Sequence, residues 1–286
     1  KLLKIQIMKK ILVPTDFSNT SHDAYQFALQ MADKLGLAIE VVHIYSGVLQ
    51  PGQKFVFKPG MDREETLKYH LNEFISYYPD DFESPIATDI KVDTKTLFAV
   101  NVVNKIISFS KSPDVEMIIM GTTGEHGVIN QLIGSTSTAV AQKAKCPVLL
   151  IPKKTELTPF KNILFASNYE SRDEQTLEAI KYMAKFYSAA VHFVHVADDD
   201  KQYEDKSKTA IFDKMFEGGA PPFAFHMETV ESKTVGRGLT EYALKNNIDL
   251  VVLVNRNRDF ISNIMQKSIT QRMGLYTKLP IMVYHI

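Results

Sequence analysis

The stretch KKILVPTDFSNTSHDAYQFALQMADKLGLAIEVVHIYS, residues 9–46, decides the fold of this chain. An apolar run, ILVP, leads through a polar turn into a long segment and then into a second apolar run, EVVHIYS. The long segment places apolar residues one helical turn apart, at Ala24, Phe27, Ala28 and Met31. This spacing predicts a helix over Ser21–Leu35. Strand, helix and strand at these lengths are typical of a parallel α/β unit.

The same unit occurs again as FKNILFASNYESRDEQTLEAIKYMAKFYSAAVHFVHVAD, residues 160–198. At a constant offset of 152, Asp16 aligns with Asn168 and His43 aligns with His195. Near the carboxyl end of each copy the offset is 133, and Pro147 aligns with Pro280. The second copy is therefore shorter in its middle, and the chain is predicted to contain two tandem copies of one domain.

In the first copy, strands are predicted near residues 10–15, 38–45, 87–93, 115–120 and 147–151, and a further helix over Ser137–Ala144. The strands are interpreted as continuous apolar runs, which indicates burial on both faces of a parallel sheet. We therefore expect two tandem doubly wound α/β domains, 9–153 and 160–286, each with a five-stranded parallel sheet flanked by helices. The segment KKTELTPFK, residues 153–161, is the expected linker, and residues 1–7 are treated as lying outside the repeat.

Composition limits the functions open to the chain. It has 286 residues, 45% of them hydrophobic and 23% charged, with 33 basic and 33 acidic side chains. This balance argues against nucleic acid and against an anionic membrane surface as partners. No run is long enough to suggest a membrane span. The single Cys146 excludes a disulfide within the chain, and a cytoplasmic location is expected.

A glycine-rich stretch, GTTGEHGVINQLIGSTS at residues 121–137, follows the fourth predicted strand. Glycines at a strand end allow a ligand to approach the backbone, and a helix amino terminus attracts anions. Gly134, Ser135 and Thr136 begin the last helix and suit phosphate oxygens, while Asp16 could accept hydrogen bonds from a ribose or position a metal through water. Glycines after a strand also serve as turn residues, and serine or threonine before a helix also serves as a cap.

Together, Gly121-x2-Gly124-x9-Gly134-Ser135, the opening ILVPTDFS, the strand VVHIYS and the closing KCPVLLIP resemble the universal stress protein family over essentially the whole chain. The resemblance implies an adenine nucleotide alpha hydrolase-like fold, a stress-response role and binding of ATP or another adenine nucleotide, with magnesium as a candidate companion ion. It implies a binding set of Pro14, Thr15, Asp16, Ile44, Met120, Gly121, Gly124, Gly134, Ser135 and Thr136.

The second copy lacks this glycine pattern. Gly121, Gly124 and Gly134 align with Val254, Asn257 and Lys267. Larger side chains there would fill the nucleotide's space, so the second domain is expected not to bind ATP in the family's manner. We expect it instead to pair with the first domain as an internal pseudo-dimer, through VLLIP at 148–152 and IMVYH at 281–285. A further homodimer stays open.

Three functions compete at this point. The first is a regulatory ATP-binding protein, and the second is a slow ATP hydrolase. Catalysis would need a base or a cationic clamp, yet only His126 lies in the loop and no lysine or arginine occurs between residues 121 and 142. The third is a nucleotide-independent adapter. No metal site is expected, because His192 and His195 are three apart on a strand and face opposite sides.

Overall fold

The chain folds into two compact units, residues 1–154 and 155–286, in a computed structural model. The structure describes residues 8–46, 60–77, 89–122, 134–153, 155, 158–167, 177, 180–181, 183–185, 187–197, 213, 217, 219–221, 223–255 and 279–285. In the first unit the elements are β1 (Lys10–Thr15), α1 (Asn19–Leu35), β2 (Ala38–Tyr45), α2 (Arg63–Ser76), β3 (Val92–Phe98), α3 (Val102–Phe109), β4 (Val115–Gly121), α4 (Ser135–Lys143) and β5 (Val148–Ile151).

The five strands of the first unit lie side by side in the order β3-β2-β1-β4-β5. Every neighbouring pair is parallel. The residues of β1 from Ile11 to Thr15 and all four residues of β5 are buried. Because the side chains on both faces of these strands are buried, their sequences are continuous apolar runs, as predicted. The doubly wound α/β fold is therefore confirmed for this unit.

Helix α1 begins and ends where its local chemistry dictates. The Ser18 side chain accepts a hydrogen bond from the Ser21 N–H at the amino end. At the other end Gly36 adopts φ 64°, and its N–H donates to the Ala32 carbonyl. This left-handed conformation suits glycine, which has no side chain to clash. The helix then buries the predicted apolar stripe, which includes Phe27 and Met31, against β1 and β4.

The third strand differs from the prediction. It runs over Val92–Phe98, where residues 87–93 were predicted, and it pairs with β2 from Ile39↔Val92 to Tyr45↔Phe98. Its side chains alternate between half-buried and exposed, because β3 is the edge strand of this unit's own sheet order. An alternating strand escapes a search for continuous apolar runs. The residues that follow it form α3, whose cap is the side chain of Asn101.

The second unit repeats this architecture with the elements β6 (Asn162–Ala166), β7 (Ala190–Ala197), β8 (Phe225–Glu231), α5 (Val235–Lys245), β9 (Leu250–Asn255) and β10 (Ile281–His285). Its strands lie in the order β8-β7-β6-β9-β10, again with parallel neighbours. This order corresponds strand for strand to the first unit. The sequence repeat is therefore a repeat of topology.

Candidate functional site

Strand order reverses between β1 and β4 in the first unit. From β1 the chain adds β2 and β3 on one side and then places β4 and β5 on the other. Crevices at the carboxyl ends of strands where the order reverses are the usual ligand sites of such sheets. Here β1 ends at Thr15 and β4 ends at Gly121, so residues just after these two positions border the crevice.

The end of β1 separates a buried hydroxyl from an exposed carboxylate. Thr15 is buried, and its Oγ1 lies 2.9 Å from the Ser21 hydroxyl. Asp16 is exposed, and its Oδ1 accepts a hydrogen bond of 3.1 Å from the Ser18 N–H. Of these two predicted site residues, Asp16 has the side chain that a ligand can reach from solvent. The Thr15 hydroxyl instead stabilises the turn through its contact with the Ser21 hydroxyl.

Gly121, at the end of β4, packs directly against helix α1. A Cβ atom at this position would lie 2.8 Å from the carbonyl carbon, the carbonyl oxygen and the Cγ2 atom of Thr20. Two of these three atoms belong to the backbone, so the contact has little room to relax. The close approach of α1 to β4 therefore requires glycine here, in addition to any space that a ligand needs.

The amino terminus of α4 is fixed at the end of β4 by two hydrogen bonds. The Gly134 N–H donates to the Thr122 carbonyl. The Ser137 hydroxyl donates to the Gly121 carbonyl at 2.7 Å. Ser137 was not among the predicted site residues, although it stands beside them in the sequence. The predicted residues Ser135 and Thr136 lie in the first turn of this helix, with Ser135 exposed and Thr136 half-buried.

This helix differs from the other helices described in the first unit in how it begins. The amino ends of α1, α2 and α3 are capped by the side chains of Ser18, Asp62 and Asn101. Helix α4 begins after Gly134, which has no side chain to offer its first turn. The amide groups of that turn carry the partial positive charge of the helix dipole. Such a charge attracts an oxygen ligand that carries negative charge.

The apolar members of the predicted set lie on three adjacent strands. Pro14 is in β1, Ile44 in β2 and Met120 in β4, and all three are buried. Neighbouring strands are roughly 4.8 Å apart, so the strands that carry Ile44 and Met120 are about 10 Å apart. These residues form the buried floor at the carboxyl ends of the strands, beside exposed Asp16. Gly124 and His126 lie outside the described residues.

His43 contributes a neutral ring beneath the turn. Its Nδ1 atom lies 2.9 Å from the Thr15 carbonyl oxygen. A carbonyl oxygen only accepts, so Nδ1 carries the proton. Burial lowers the pKa of His43 below its ordinary value, even though the carbonyl of Thr15 and the charge of Asp16 act in the opposite direction. The ring is therefore neutral at neutral pH and adds no positive charge to the crevice.

In the second unit the position aligned with Gly121 is filled. Val254 is buried and pairs with Tyr284 of β10. Ser167, aligned with Thr15, is buried as well. Asn168, Asn257, Lys267 and Ser268 lie outside the described residues. The described part of this unit thus carries a branched side chain where the first unit has a glycine.

Other groups that the sequence brings to attention have local partners. The Nδ1 atom of His192 lies 2.9 Å from the Tyr242 hydroxyl, and that of His195 lies 3.0 Å from the Ser167 carbonyl oxygen. Burial raises the pKa of the Cys146 thiol to about 12.

Within the described ranges, no three histidine, cysteine or acidic side chains are grouped so as to hold a metal ion. No helix in those ranges has the length and apolarity to cross a bilayer.

The chain is similar to known proteins both in sequence and in fold. Residues 8–152 match the family described as Universal stress protein family. Universal stress protein MJ0531 of Methanocaldococcus jannaschii is 32% identical over 151 residues, which are 51% of this chain and 84% of that protein. Universal stress protein A homolog 1 of Coxiella burnetii is 24% identical over 147 residues, which are 50% of this chain and 95% of that protein.

The similarity to solved structures extends over both units. The crystal structure of a universal stress protein from Archaeoglobus fulgidus aligns with a TM-score of 0.68 and 18% sequence identity. The alignment covers 96% of this chain and 98% of that chain. At this identity the similarity shows the fold.

Proposed function

The chain belongs to the universal stress protein family, and from this membership we propose that its first unit binds one adenine nucleotide in a regulatory, stress-related role. ATP is the form that we favour, because the glycine pattern at Gly121, Gly124 and Gly134 resembles that of the family's ATP-binding members. The phosphates lie at the amino terminus of α4, and the adenosine lies towards Asp16 and Ile44.

The observation that supports this proposal best is that α4 begins after a residue without a side chain, Gly134, at the point where the strand order reverses. Gly134 provides no cap, while Thr122 and Gly121 hold the helix start in place through their carbonyl groups. Amides on a fixed helix terminus suit a phosphate group and need no reorganisation on binding. Exposed Asp16 at the end of the neighbouring strand adds an acceptor for the hydroxyl groups of a ribose.

A pair of substitutions at one position tests this placement. Gly134 has φ −63° and ψ 147°, a conformation open to any residue, and aspartate and asparagine are both good helix caps. Gly134→Asp places a carboxylate where the phosphates bind, whereas Gly134→Asn places a neutral group of the same shape there. We expect Gly134→Asp to weaken ATP binding at least about tenfold more than Gly134→Asn does, which corresponds to about 1.4 kcal/mol.

The stability of the two variants serves as the internal control. Either cap should stabilise the helix by a few tenths of a kcal/mol relative to glycine, and the aspartate also interacts favourably with the helix dipole. Both variants should therefore unfold at or slightly above the wild-type temperature in the absence of ligand. Equal ATP affinities in the two variants would contradict the placement of the phosphates at this helix terminus.

The second unit, in this proposal, serves as an internal partner and binds no ATP. Burial of Val254, where the first unit has Gly121, supports the loss of a ligand site. The pairing of β5 with β10 stays a prediction, and amide hydrogen exchange over Val148–Ile151 tests it. An edge strand exchanges its outward amides rapidly, whereas a strand paired on both sides protects them all. Rapid exchange of alternate amides in this strand would rule out the pairing.

A further inference from the structure

Phe17, directly after Asp16, has a backbone conformation that is costly for its residue type. Its φ is 65°, in the left-handed region, which residues with a bulky side chain rarely adopt. Its N–H donates to the Thr15 Oγ1 at 2.9 Å. Such a conformation persists only when the surrounding structure holds it, and it commonly occurs beside functional residues.

The side chain of Phe17 shows what holds the backbone. Its ring stacks on His43, with the ring centroids 4.4 Å apart and the planes 30° apart. It also meets the rings of His70 and Phe74, both in α2, at 6.2 and 6.1 Å. His43 is itself fixed, because its Nδ1–H donates to the Thr15 carbonyl. Phe17 is thus anchored through β2 and α2, two elements outside the turn it belongs to.

The anchored ring determines where its neighbours lie. Phe17 occupies the position between Asp16, which is exposed, and Ser18, which is buried and caps α1. The Ser18 N–H donates to the Asp16 carboxylate at 3.1 Å. With the ring packed against His43, the left-handed turn carries the Asp16 side chain to the surface. A side chain without the ring would lack the contacts to His43, His70 and Phe74 that accompany this backbone conformation.

We propose that Phe17 is a positioning residue, whose stack on His43 holds the left-handed turn that directs Asp16 at the bound nucleotide. This inference rests on the proposed function, since it assigns a role within the same site. The aligned position of the second copy carries Tyr169, another aromatic residue, so Phe17→Tyr is a natural conservative variant.

A double-mutant cycle tests whether Phe17 acts through Asp16. ATP affinity is measured for the wild type, Phe17→Ala, Asp16→Ala and the double variant. When Asp16 is present, we expect Phe17→Ala to weaken ATP binding about tenfold, which is within the range of coupling between contacting residues. When Asp16 is already alanine, we expect the same substitution to weaken ATP binding less than about twofold. Equal weakening in both backgrounds would overturn the inference, because Phe17 would then act independently of Asp16.

Two controls separate positioning from a general loss of structure. Phe17→Tyr keeps the ring and should bind ATP within about twofold of the wild type. Phe109→Ala truncates a half-buried phenylalanine at the end of α3, near the amino ends of the strands, and should leave ATP affinity unchanged. A comparable loss in Phe109→Ala would mean that any loosening of the unit weakens binding, and the inference would fail.

A measurement without nucleotide keeps the inference apart from the proposed function. In the ligand-free protein we compare the NMR signals of the Asp16 carboxyl carbon and the Ser18 amide. Both should move in Phe17→Ala and stay in place in Phe17→Tyr and Phe109→Ala. Unchanged signals in Phe17→Ala would overturn the positioning role even if the wild type binds ATP. A wild type that binds no nucleotide would refute the proposed function, while these signals would still decide the role of Phe17.

Discussion

His43 reaches across from β2 to the end of β1, where its Nδ1–H donates to the Thr15 carbonyl at 2.9 Å. The second unit repeats this bond between His195 and the Ser167 carbonyl at 3.0 Å. Both pairs lie at the same offset of 152 in the sequence, so the alignment of the two copies corresponds to an equivalent contact. Since the contact occurs with and without the glycine loop, we assign it to the fold and not to the ligand.

Replacing either histidine with leucine should destabilise its own unit. The buried carbonyl of Thr15 or Ser167 would lose its donor, which typically costs about 1–3 kcal/mol. Urea denaturation of His43→Leu and His195→Leu measures the loss. We expect similar losses in the two variants, and wild-type stability in both would show that the bond contributes nothing measurable.

Acid should destabilise the protein through its buried histidines. Burial lowers the pKa of His22, His43 and His192 below the ordinary value of 6.5. A base whose pKa is lowered on folding binds fewer protons in the folded state than in the unfolded state. Its contribution to stability is then fully present above pH 6.5 and is lost as the pH falls through the folded pKa.

Chemical denaturation at a series of pH values between 7.5 and 5 checks this dependence. The free energy of unfolding should decrease as the pH is lowered from 7.5 to 5. Glutamine at the three histidine positions should make the free energy of unfolding less dependent on pH. A wild-type profile that is already flat, or that rises towards acid, would contradict the assignment of neutral buried rings.

Alanine at Gly121 should be more harmful than alanine at Gly238. A Cβ at Gly121 would meet the Thr20 backbone at 2.8 Å, whereas one at Gly238 would meet the Val196 side chain at the same distance. Overpacking costs about 1–3 kcal/mol, and backbone yields less readily than a side chain. Gly238 also lies inside α5, where alanine is favoured over glycine by about 1 kcal/mol. Thermal unfolding of both variants measures the difference, and a larger loss in Gly238→Ala would contradict it.

Cys146 should be unreactive in the folded protein. It is buried, and burial raises the pKa of its thiol to about 12, so almost no thiolate exists at pH 8. Labelling with a chromogenic disulfide at pH 8 should proceed in denaturant and fail without it. Rapid labelling of one thiol per chain under native conditions would show that this strand end opens readily.

The central strands could be predicted from sequence because they are buried on both faces and are therefore continuously apolar. The predicted position of the edge strand β3 was wrong by about five residues at each end. Residues Val92–Phe98 alternate between two environments, and the position of the strand depends on its pairing with β2. Helices α1 and α4 each begin two residues before the predicted start, at Asn19 and Ser135, because their capping positions are Ser18 and Gly134.

The finer parts of the candidate site depend on tertiary contacts that no local pattern encodes. The left-handed conformation of Phe17 follows from its stack on His43, a residue on another strand. The close approach of Thr20 to Gly121 follows from the packing of α1 on β4. The Ser137 hydroxyl bond to the Gly121 carbonyl likewise needs the helix and the strand in place. The sequence offered serine and glycine at these positions without showing which contacts they make.

The number of ATP molecules bound per chain tests the central claim most directly. Calorimetric titration of the nucleotide-stripped protein with ATP and magnesium gives this number. We predict one site per chain, lost in Gly134→Asp and retained in Gly134→Asn. Two equivalent sites would contradict the assignment of a silent second unit, and no binding would leave the glycine loop as a turn and favour a nucleotide-independent adapter.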